Sequence, residues 1–140
     1  MNRHYRTLEL DKILERLAEQ TSIEDAHRMA LELEPQFDLN KAQKLLQQTD
    51  DSYVISGRFG APSFGGAVNC AGNLRRAQAG GCLTTGELLE IAQTLRVIRT
   101  VKEWHGRCDS GNTSLDGFFS GLVSNKFLED KINTAIISED

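Results

Sequence analysis

Hydrophobic side chains recur along this chain with the 3.6-residue period of an α-helix, and this period limits the fold more than any other feature. In the first such stretch the apolar positions follow the spacing i, i+3, i+4, i+7 and i+8, and they are Leu10, Ile13, Leu14, Leu17 and Ala18. Charged residues fill most of the other positions. The pattern predicts an amphipathic helix over about 8–20 with one inward face.

A second helix is predicted immediately after the first. Thr21 or Ser22 can cap its start, and Glu24 and Asp25 place negative charge in its first turn. Pro35 should end it, because a proline disfavours helical geometry in the residue before it. The connection between these two helices is very short, which predicts an antiparallel or sharply angled pair.

Cap and stop signals predict five further helices. Asp38 and Asn125 are capping residues, Thr84 with Glu87 three positions later forms a capping-box pattern, and glycines at 80 and 81 act as a stop. The predicted spans are 39–56, 68–79, 84–104, 113–122 and 125–136. The chain of 140 residues is therefore predicted to be all-α, an irregular bundle of about six to seven helices in one domain.

Charge and cysteine content restrict the classes of function. The chain has 16 Lys and Arg against 20 Asp and Glu, a net charge of −4, whereas a nucleic-acid-binding domain usually carries a basic excess. Cys70, Cys82 and Cys108 form no C-x-x-C pair, so neither a zinc nor a redox motif is predicted. No apolar N-terminal signal or membrane-spanning run occurs. We therefore expect a cytoplasmic protein with reduced thiols and no membrane partner.

The segment 57–66 contains four glycines and one proline, which predicts a loop. A glycine-rich loop can bind phosphate, but the P-loop pattern requires a Gly-Lys pair, and none occurs in the chain. Ser63 does not stand in the G-x-S-x-G pattern of a hydrolase nucleophile either. We interpret the segment as a structural turn.

Two aromatic residues of this loop, Phe59 and Phe64, have two interpretations. They can fold into the core, which removes apolar surface from water. Alternatively, they can form part of an interface with another subunit or domain, as exposed apolar surface often does. The cost of exposed aromatic surface favours folding into the core, and the interface stays open as the alternative.

The strongest candidate for nucleic-acid contact is a group of five basic residues on two predicted helices: Arg75, Arg76, Arg96, Arg99 and Lys102. The last three follow one another at intervals of three, which places them on one side of the long helix. Contact with phosphate is one interpretation. The other is salt bridges to Glu87, Glu90 and Glu103, with the side-chain stems packed on apolar surface, and the acidic charge of the whole chain favours it.

The histidines and the tryptophan do not form a recognisable site. His4, His27 and His105 are widely separated and have no partner ligand at i+4, whereas a metal site needs several converging ligands. Trp104 is interpreted as a core residue, because base stacking would require further aromatic residues and a basic groove.

The adjacent carboxylates Asp50 and Asp51, and likewise Glu129 and Asp130, are interpreted as solvated surface charges. Neighbouring residues in a helix point in different directions, so these pairs cannot act together as an acid–base couple. The residues therefore predict no catalytic, cofactor-binding or metal-ligating side chain.

Several segments, in order along the chain, are similar to bacterial MutS-II proteins, which are relatives of the mismatch-repair protein MutS. The segments are YRTLELDKIL (5–14), PSFGG (62–66), LRRA (74–77), GG (80–81), LRVIR (95–99), LD (115–116) and NKFLEDKI (125–132). The resemblance extends over essentially the whole chain, although none of its segments is a catalytic signature.

This resemblance implies that the chain is the N-terminal part of a much longer protein and belongs to its MutS-like helical core domain. Lever helices and a clamp, an ABC-type ATPase domain and a C-terminal Smr endonuclease domain are expected outside these residues. The parent is expected to be a homodimer that uses ATP and Mg²⁺. It is expected to close around branched DNA or engage collided ribosomes, and so to suppress homologous recombination or aid ribosome rescue.

The resemblance transfers no functional residue to this chain, because the family's catalytic motifs lie beyond Asp140. We therefore expect a non-catalytic scaffold segment without a cofactor of its own. Two alternatives stay open: a self-contained helical module that binds a partner through the loop around Phe64, and a small enzyme of unrecognised type.

Overall fold

The computed structural model describes residues 7–136, so His4 and the first two residues of the MutS-like segment 5–14 lie outside the described part. Seven helices lie wholly within this range, and none of its residues is in a β-strand. The helices are α1 (Leu10–Glu19), α2 (Glu24–Leu31), α3 (Leu39–Phe59), α4 (Ala71–Gln78), α5 (Thr85–Arg107), α6 (Asp116–Ser120) and α7 (Lys126–Ala135). The predicted all-α fold is confirmed.

The chain divides into two compact units, Met1–Pro35 and Gln36–Asp140. In the first unit α1 and α2 pack against each other, as their short connection predicts. Leu14, Ala18 and Ala30 are buried, and they come from the apolar positions that the helical period selects.

The end of α2 differs from the prediction. The helix ends at Leu31, not at the proline that was expected to end it. Two further backbone bonds close its last turn: the N–H of Glu32 donates to Arg28, and the N–H of Leu33 donates to Ala30, at 3.0 and 3.4 Å. The second bond spans three residues, which is the tightened turn common at helix ends.

The starts of the longer helices follow their predicted caps. Thr84 Oγ1 accepts from the Glu87 N–H at 3.3 Å, and the Glu87 carboxylate accepts from the Thr84 N–H at 2.8 Å, which completes the capping box of α5. Asp38 caps α3 and Asn125 caps α7 through side-chain oxygens at 2.9 and 3.0 Å from backbone N–H groups. Each such cap contributes about 1 kcal/mol.

The C-terminal part of α3 was predicted incorrectly. The helix continues through Gly57 to Phe59, so it includes the first three residues of the segment predicted as a loop. A glycine in a helix costs only about 1 kcal/mol, so Gly57 does not stop it. Gly60 does, because its φ of 76° lies in the left-handed region that favours glycine.

The core of the second unit lies where α5 packs against α7. Its buried members are Cys70, Ile91, Ala92 and Ile132. Partly buried side chains surround them, namely Leu83, Leu88, Leu95, Leu128 and Ile136. Within residues 7–136 no helix has the length and apolar character needed to cross a bilayer.

Candidate functional site

The two arginines of α4 are engaged with neighbouring groups. Arg75 Nε donates to the carbonyl oxygen of Ala71 at 3.1 Å, one turn earlier on the same helix. Arg76 forms an ion pair with Glu87, one of the glutamates predicted as a partner. The hydrogen bond from Arg76 is the main reason that the pKa of the Glu87 carboxyl lies below its ordinary value.

Two arginines of α5 meet one carboxylate of α7. Arg99 donates to Glu129 from Nη2 at 2.9 Å and from Nε at 3.0 Å, in a forked arrangement that uses both carboxylate oxygens. Arg96 Nε adds a longer contact of 3.4 Å. The Glu129 side chain is only 4% exposed, against 24% for Arg99 and 52% for Arg96. The carboxylate is therefore the buried centre of this cluster.

These contacts stabilise the charged forms of both Glu129 and Arg99. The Arg99 hydrogen bond holds the pKa of the Glu129 carboxyl below its ordinary value, although burial acts in the opposite direction. The same contact raises the pKa of Arg99, and a further bond to Glu103 at 3.3 Å adds to this effect. Glu129 is thus a charged partner that fixes α7 to α5.

The five residues of the predicted basic group therefore do not share one set of contacts. Arg76 is paired at the start of α5, and Arg96 and Arg99 meet at Glu129. Lys102 is exposed and makes no ion pair with any residue in 7–136. The predicted pairings with Glu87 and Glu103 are confirmed, whereas Glu90 pairs with none of the five. Contact of these residues with nucleic acid stays a prediction.

The interpretation of Glu129 as a solvated surface charge is wrong. The side chain is buried because it lies three residues before Ile132, on the face of α7 that packs against α5. Its position on the apolar face was a signal that the sequence offered. Its two arginine partners could not be identified without the packing of α5 on α7.

Asp51 was also misinterpreted as a solvated charge. Its carboxylate accepts from Ser114, at 2.6 Å from the hydroxyl and 2.8 Å from the backbone N–H. The side-chain hydrogen bond from Ser114 is the main cause that lowers the pKa of Asp51. This contact joins α3 to the turn before α6 across 63 positions of sequence, which no local pattern could reveal.

Ser114, His105 and Asp116 do not form a nucleophilic triad. The Ser114 hydroxyl donates to Asp51 and makes no hydrogen bond to His105 among the described residues. His105 instead stacks on Phe119 with ring centroids 4.0 Å apart and lies 3.6 Å from the Asp116 carboxylate. Among residues 7–136, therefore, no hydroxyl is hydrogen-bonded to the imidazole as a nucleophile would be to its general base.

The two loop aromatics occupy different places. Phe59 is the last residue of α3 and is half-buried, with the Arg58 guanidinium 5.2 Å from its ring centroid. Phe64 remains in the loop and is 44% exposed. It lines a cleft of about 210 Å³ together with Ile55 and Trp104. Its side chain is therefore neither fully in the core nor fully in solvent.

Trp104 is partly buried, and its ring centroid lies 6.0 Å from that of Phe119. Its indole Nε1 is buried and has no acceptor within residues 7–136. A buried donor without a partner costs about 1–3 kcal/mol. No grouping of three or more His, Cys, Asp or Glu side chains suited to a metal ion occurs in the described residues.

The chain is similar to proteins named Endonuclease MutS2, although no family model matches it. It is 39% identical over 138 residues to the one from Ruminiclostridium cellulolyticum. It is 34% identical over 137 residues to that of Acetivibrio thermocellus, and 35% identical over 139 residues to that of Agathobacter rectalis.

These alignments cover 97%, 95% and 97% of this chain, but only 17% of each relative. The chain thus spans about one sixth of the length of these curated relatives. The similarity that its segments suggested between positions 5 and 132 extends over nearly all of its residues. The chain belongs to the MutS-II, or MutS2, family.

Proposed function

We propose that this chain is a non-catalytic core and scaffold segment of a homodimeric MutS2-family ATPase. In this proposal the segment is N-terminal, and the lever, clamp, ATPase and Smr endonuclease domains belong to other parts of the parent protein. The parent uses ATP and Mg²⁺ and acts on branched DNA or collided ribosomes. The observation that carries the proposal is the similarity of nearly the whole chain to proteins named Endonuclease MutS2.

The geometry of the second unit supports a mechanical role. A segment that transmits a change of nucleotide state from the ATPase domain to the lever helices and the clamp has to move as a rigid body. The forked Arg99–Glu129 contact and the packed side chains around Ile91 and Ile132 join α5 to α7. Close-packed helices of this kind resist continuous deformation, so a displacement at one end reaches the other.

A measurement of ATP hydrolysis tests the proposal that this chain is non-catalytic and that the ATPase activity belongs to another part of the parent protein. The purified 140-residue chain is expected to fold, as circular dichroism would show by its helical signal, and to release no phosphate from ATP and Mg²⁺. The full-length parent protein in the same assay is the positive control. Phosphate release by the purified chain that persists through further purification would contradict the scaffold proposal.

A DNA-binding measurement tests whether the five basic residues of α4 and α5 contact nucleic acid. Arg96 and Arg99 already meet Glu129, so we propose that they contribute little to nucleic-acid contact. The isolated chain should bind a fluorescent branched DNA only weakly, and the binding should fall steeply with added salt. Lys102→Ala, with Lys44→Ala as a matched exposed control, should leave this weak binding almost unchanged. If the chain bound the DNA tightly at physiological salt, and only Lys102→Ala abolished this binding, the proposal that the basic residues contribute little would be contradicted.

A second function is a self-contained interaction module, and the half-exposed Phe64 at the cleft favours it. The two functions differ in what the gene encodes after Asp140. An ATPase motif in the same reading frame supports the scaffold function, whereas a stop codon shortly after Asp140 supports the module.

A further inference from the structure

The outer face of α7 carries an exposed, shallow groove. Glu129 and Ile132 are buried on the opposite side of this helix, where it packs against α5. The groove has a volume of about 480 Å³, and it is lined by Phe127, Asp130, Lys131, Thr134 and Ala135. The aromatic ring of Phe127 is 76% exposed, so this face leaves a large apolar side chain in contact with water.

The groove has the form that receives another helix. Residues four positions apart form ridges on a helix, and the ridge of a second helix can lie in the groove between two of them. Phe127, Lys131 and Ala135 form one ridge of α7, and Asp130 and Thr134 form the next. The aromatic ring stands at one end of the groove, whereas the residues at the other end are small. One end therefore projects and the other is recessed.

Two opposite charges lie side by side in the middle of this face, Asp130 and Lys131. The Asp130 carboxylate is 3.4 Å from Lys126 Nζ, and both side chains are more than half exposed. Lys131 Nζ lies 5.9 Å from the ring centroid of Phe127. Contacts this exposed contribute little, so both charges remain available to an opposite charge on another molecule.

The face is complementary to a second copy of itself. In an antiparallel pair of α7 helices, a two-fold axis between positions 130 and 131 places Asp130 opposite Lys131 of the second copy. The same axis places Lys131 opposite the second copy's Asp130, because a two-fold contact repeats every interaction. Phe127 then lies opposite Thr134 of the second copy. The projecting end of each helix thus meets the recessed end of the other.

We propose that the outer face of α7 is a self-association surface, which pairs two copies of this chain in the antiparallel arrangement. The contact is one short helix on each side, so it buries less than the roughly 1,200–2,000 Å² of a stable interface. It is therefore a weak contact, with a dissociation constant of about 0.1–1 mM in the isolated chain. The proposal rests on α7 alone and not on the scaffold function, so either can fail without the other.

Sedimentation equilibrium of the 140-residue chain over a rising concentration series measures this association. We expect a reversible monomer–dimer equilibrium that weakens with added salt, because the paired charges are at the surface. Phe127→Ala should weaken it at least about tenfold, since the ring is the largest apolar group of the contact. Lys44→Asp, at an exposed position of α3, is the matched control for net charge and should leave it unchanged.

A charge exchange tests the arrangement itself. Asp130→Lys and Lys131→Asp each bring like charges together across the axis, and each should weaken the association at least about tenfold. The double variant Asp130→Lys/Lys131→Asp restores opposite charges and should recover it. An equimolar mixture of the two single variants should also associate, as a heterodimer. Both positions are exposed, so circular dichroism should show every variant folded.

Three results would overturn the proposal. A chain that stays monomeric throughout the series would assign the groove to a different polypeptide. A dimer that keeps its dissociation constant in Phe127→Ala or in both single charge variants would place the contact on another surface. An association that the single variants weaken, but that neither the double variant nor the mixture recovers, would show that Asp130 and Lys131 do not meet across a two-fold axis.

Discussion

The two long helices of the second unit differ in how much of their apolar surface is covered. α5 has 23 residues and buries Ile91, Ala92, Val97 and Val101. α3 has 21 residues and buries only Ile55. Both helices start with a side-chain cap and carry apolar residues at helical spacing, so these local features do not explain the difference. At Ile91 and Ala92 it arises from α7, which packs against α5 and places Ile132 in the same buried cluster.

The exposed apolar residues of α3 make this contrast sharper. Leu39, Leu46 and Tyr53 follow at intervals of seven, the spacing of a helix-packing seam, yet all three are exposed. An amphipathic pattern therefore predicts that a helix forms but does not identify its partner. The described part of the chain covers one such face and leaves the other open to solvent.

The largest expected effect comes from truncating the covered face. Ile91→Ala removes buried side-chain volume next to Ile132 and should lower the free energy of unfolding by about 2–5 kcal/mol. Leu46→Ala on α3 is the matched control, because Leu46 is 69% exposed and its truncation should change stability by no more than about 0.5 kcal/mol. Urea unfolding monitored by circular dichroism measures both. Equal losses would remove the distinction between the helices.

Removing the charge of Glu129 should have the next largest effect. Glu129→Gln keeps the shape of the side chain but weakens the contact with Arg99, at an expected cost of about 1–3 kcal/mol. Asp130→Asn is the control, because its pair with Lys126 is exposed on both sides and should contribute less than about 1 kcal/mol. A Glu129→Gln protein as stable as the wild type would show that the carboxylate does not hold α7 on α5.

The pH dependence of stability separates the charge of Glu129 from its packing. Its pKa in the folded state lies below the ordinary value of 4.5, so its carboxylate favours folding above 4.5 and loses this contribution as pH falls through the folded-state pKa. The difference in stability between wild type and Glu129→Gln should be constant near neutral pH and shrink below 4.5. A difference that persists unchanged in acid would assign the effect to packing instead.

The smallest expected effects come from the helix caps. Thr84→Ala at α5 should cost about 0.5–2 kcal/mol of global stability, since it removes one bond of the capping box and α5 contributes to the core. Asp38→Ala removes the equivalent bond at α3. Because α3 buries so little, we expect its loss to appear mainly as fraying of the first turn, which amide hydrogen exchange of Lys41 reports. An equal global loss from both variants would show that α3 is as coupled to the core as α5.

Local signals predicted most of the fold. The caps at Asp38, Thr84 and Asn125 were all identified from residue type and spacing, because a cap depends on neighbours within four positions. The stop of α3 was misplaced for the opposite reason. Gly57 and Gly60 are the same residue type, and only their backbone angles distinguish the helical one from the one that ends the helix.

The candidate site was predicted less completely. The pairs of Arg76 with Glu87 and of Arg99 with Glu103 were among those predicted, because each glutamate is close to its arginine in the sequence. The contacts from Arg99 to Glu129 and from Ser114 to Asp51 join residues 30 and 63 positions apart. Such contacts depend on how helices and turns pack, and a single sequence carries no direct record of that packing.

Native-state amide hydrogen exchange tests the central claim most directly, namely that α5 and α7 form one rigid body while the exposed N-terminal half of α3, around Leu46, opens independently of them. The claim predicts that amides in the middle of α5 and α7 exchange only through global unfolding and share one free energy of opening. Amides near Leu46 in α3 should open with a clearly lower free energy. Equal protection of α3 and α5, or exchange of α7 independently of α5, would contradict the account.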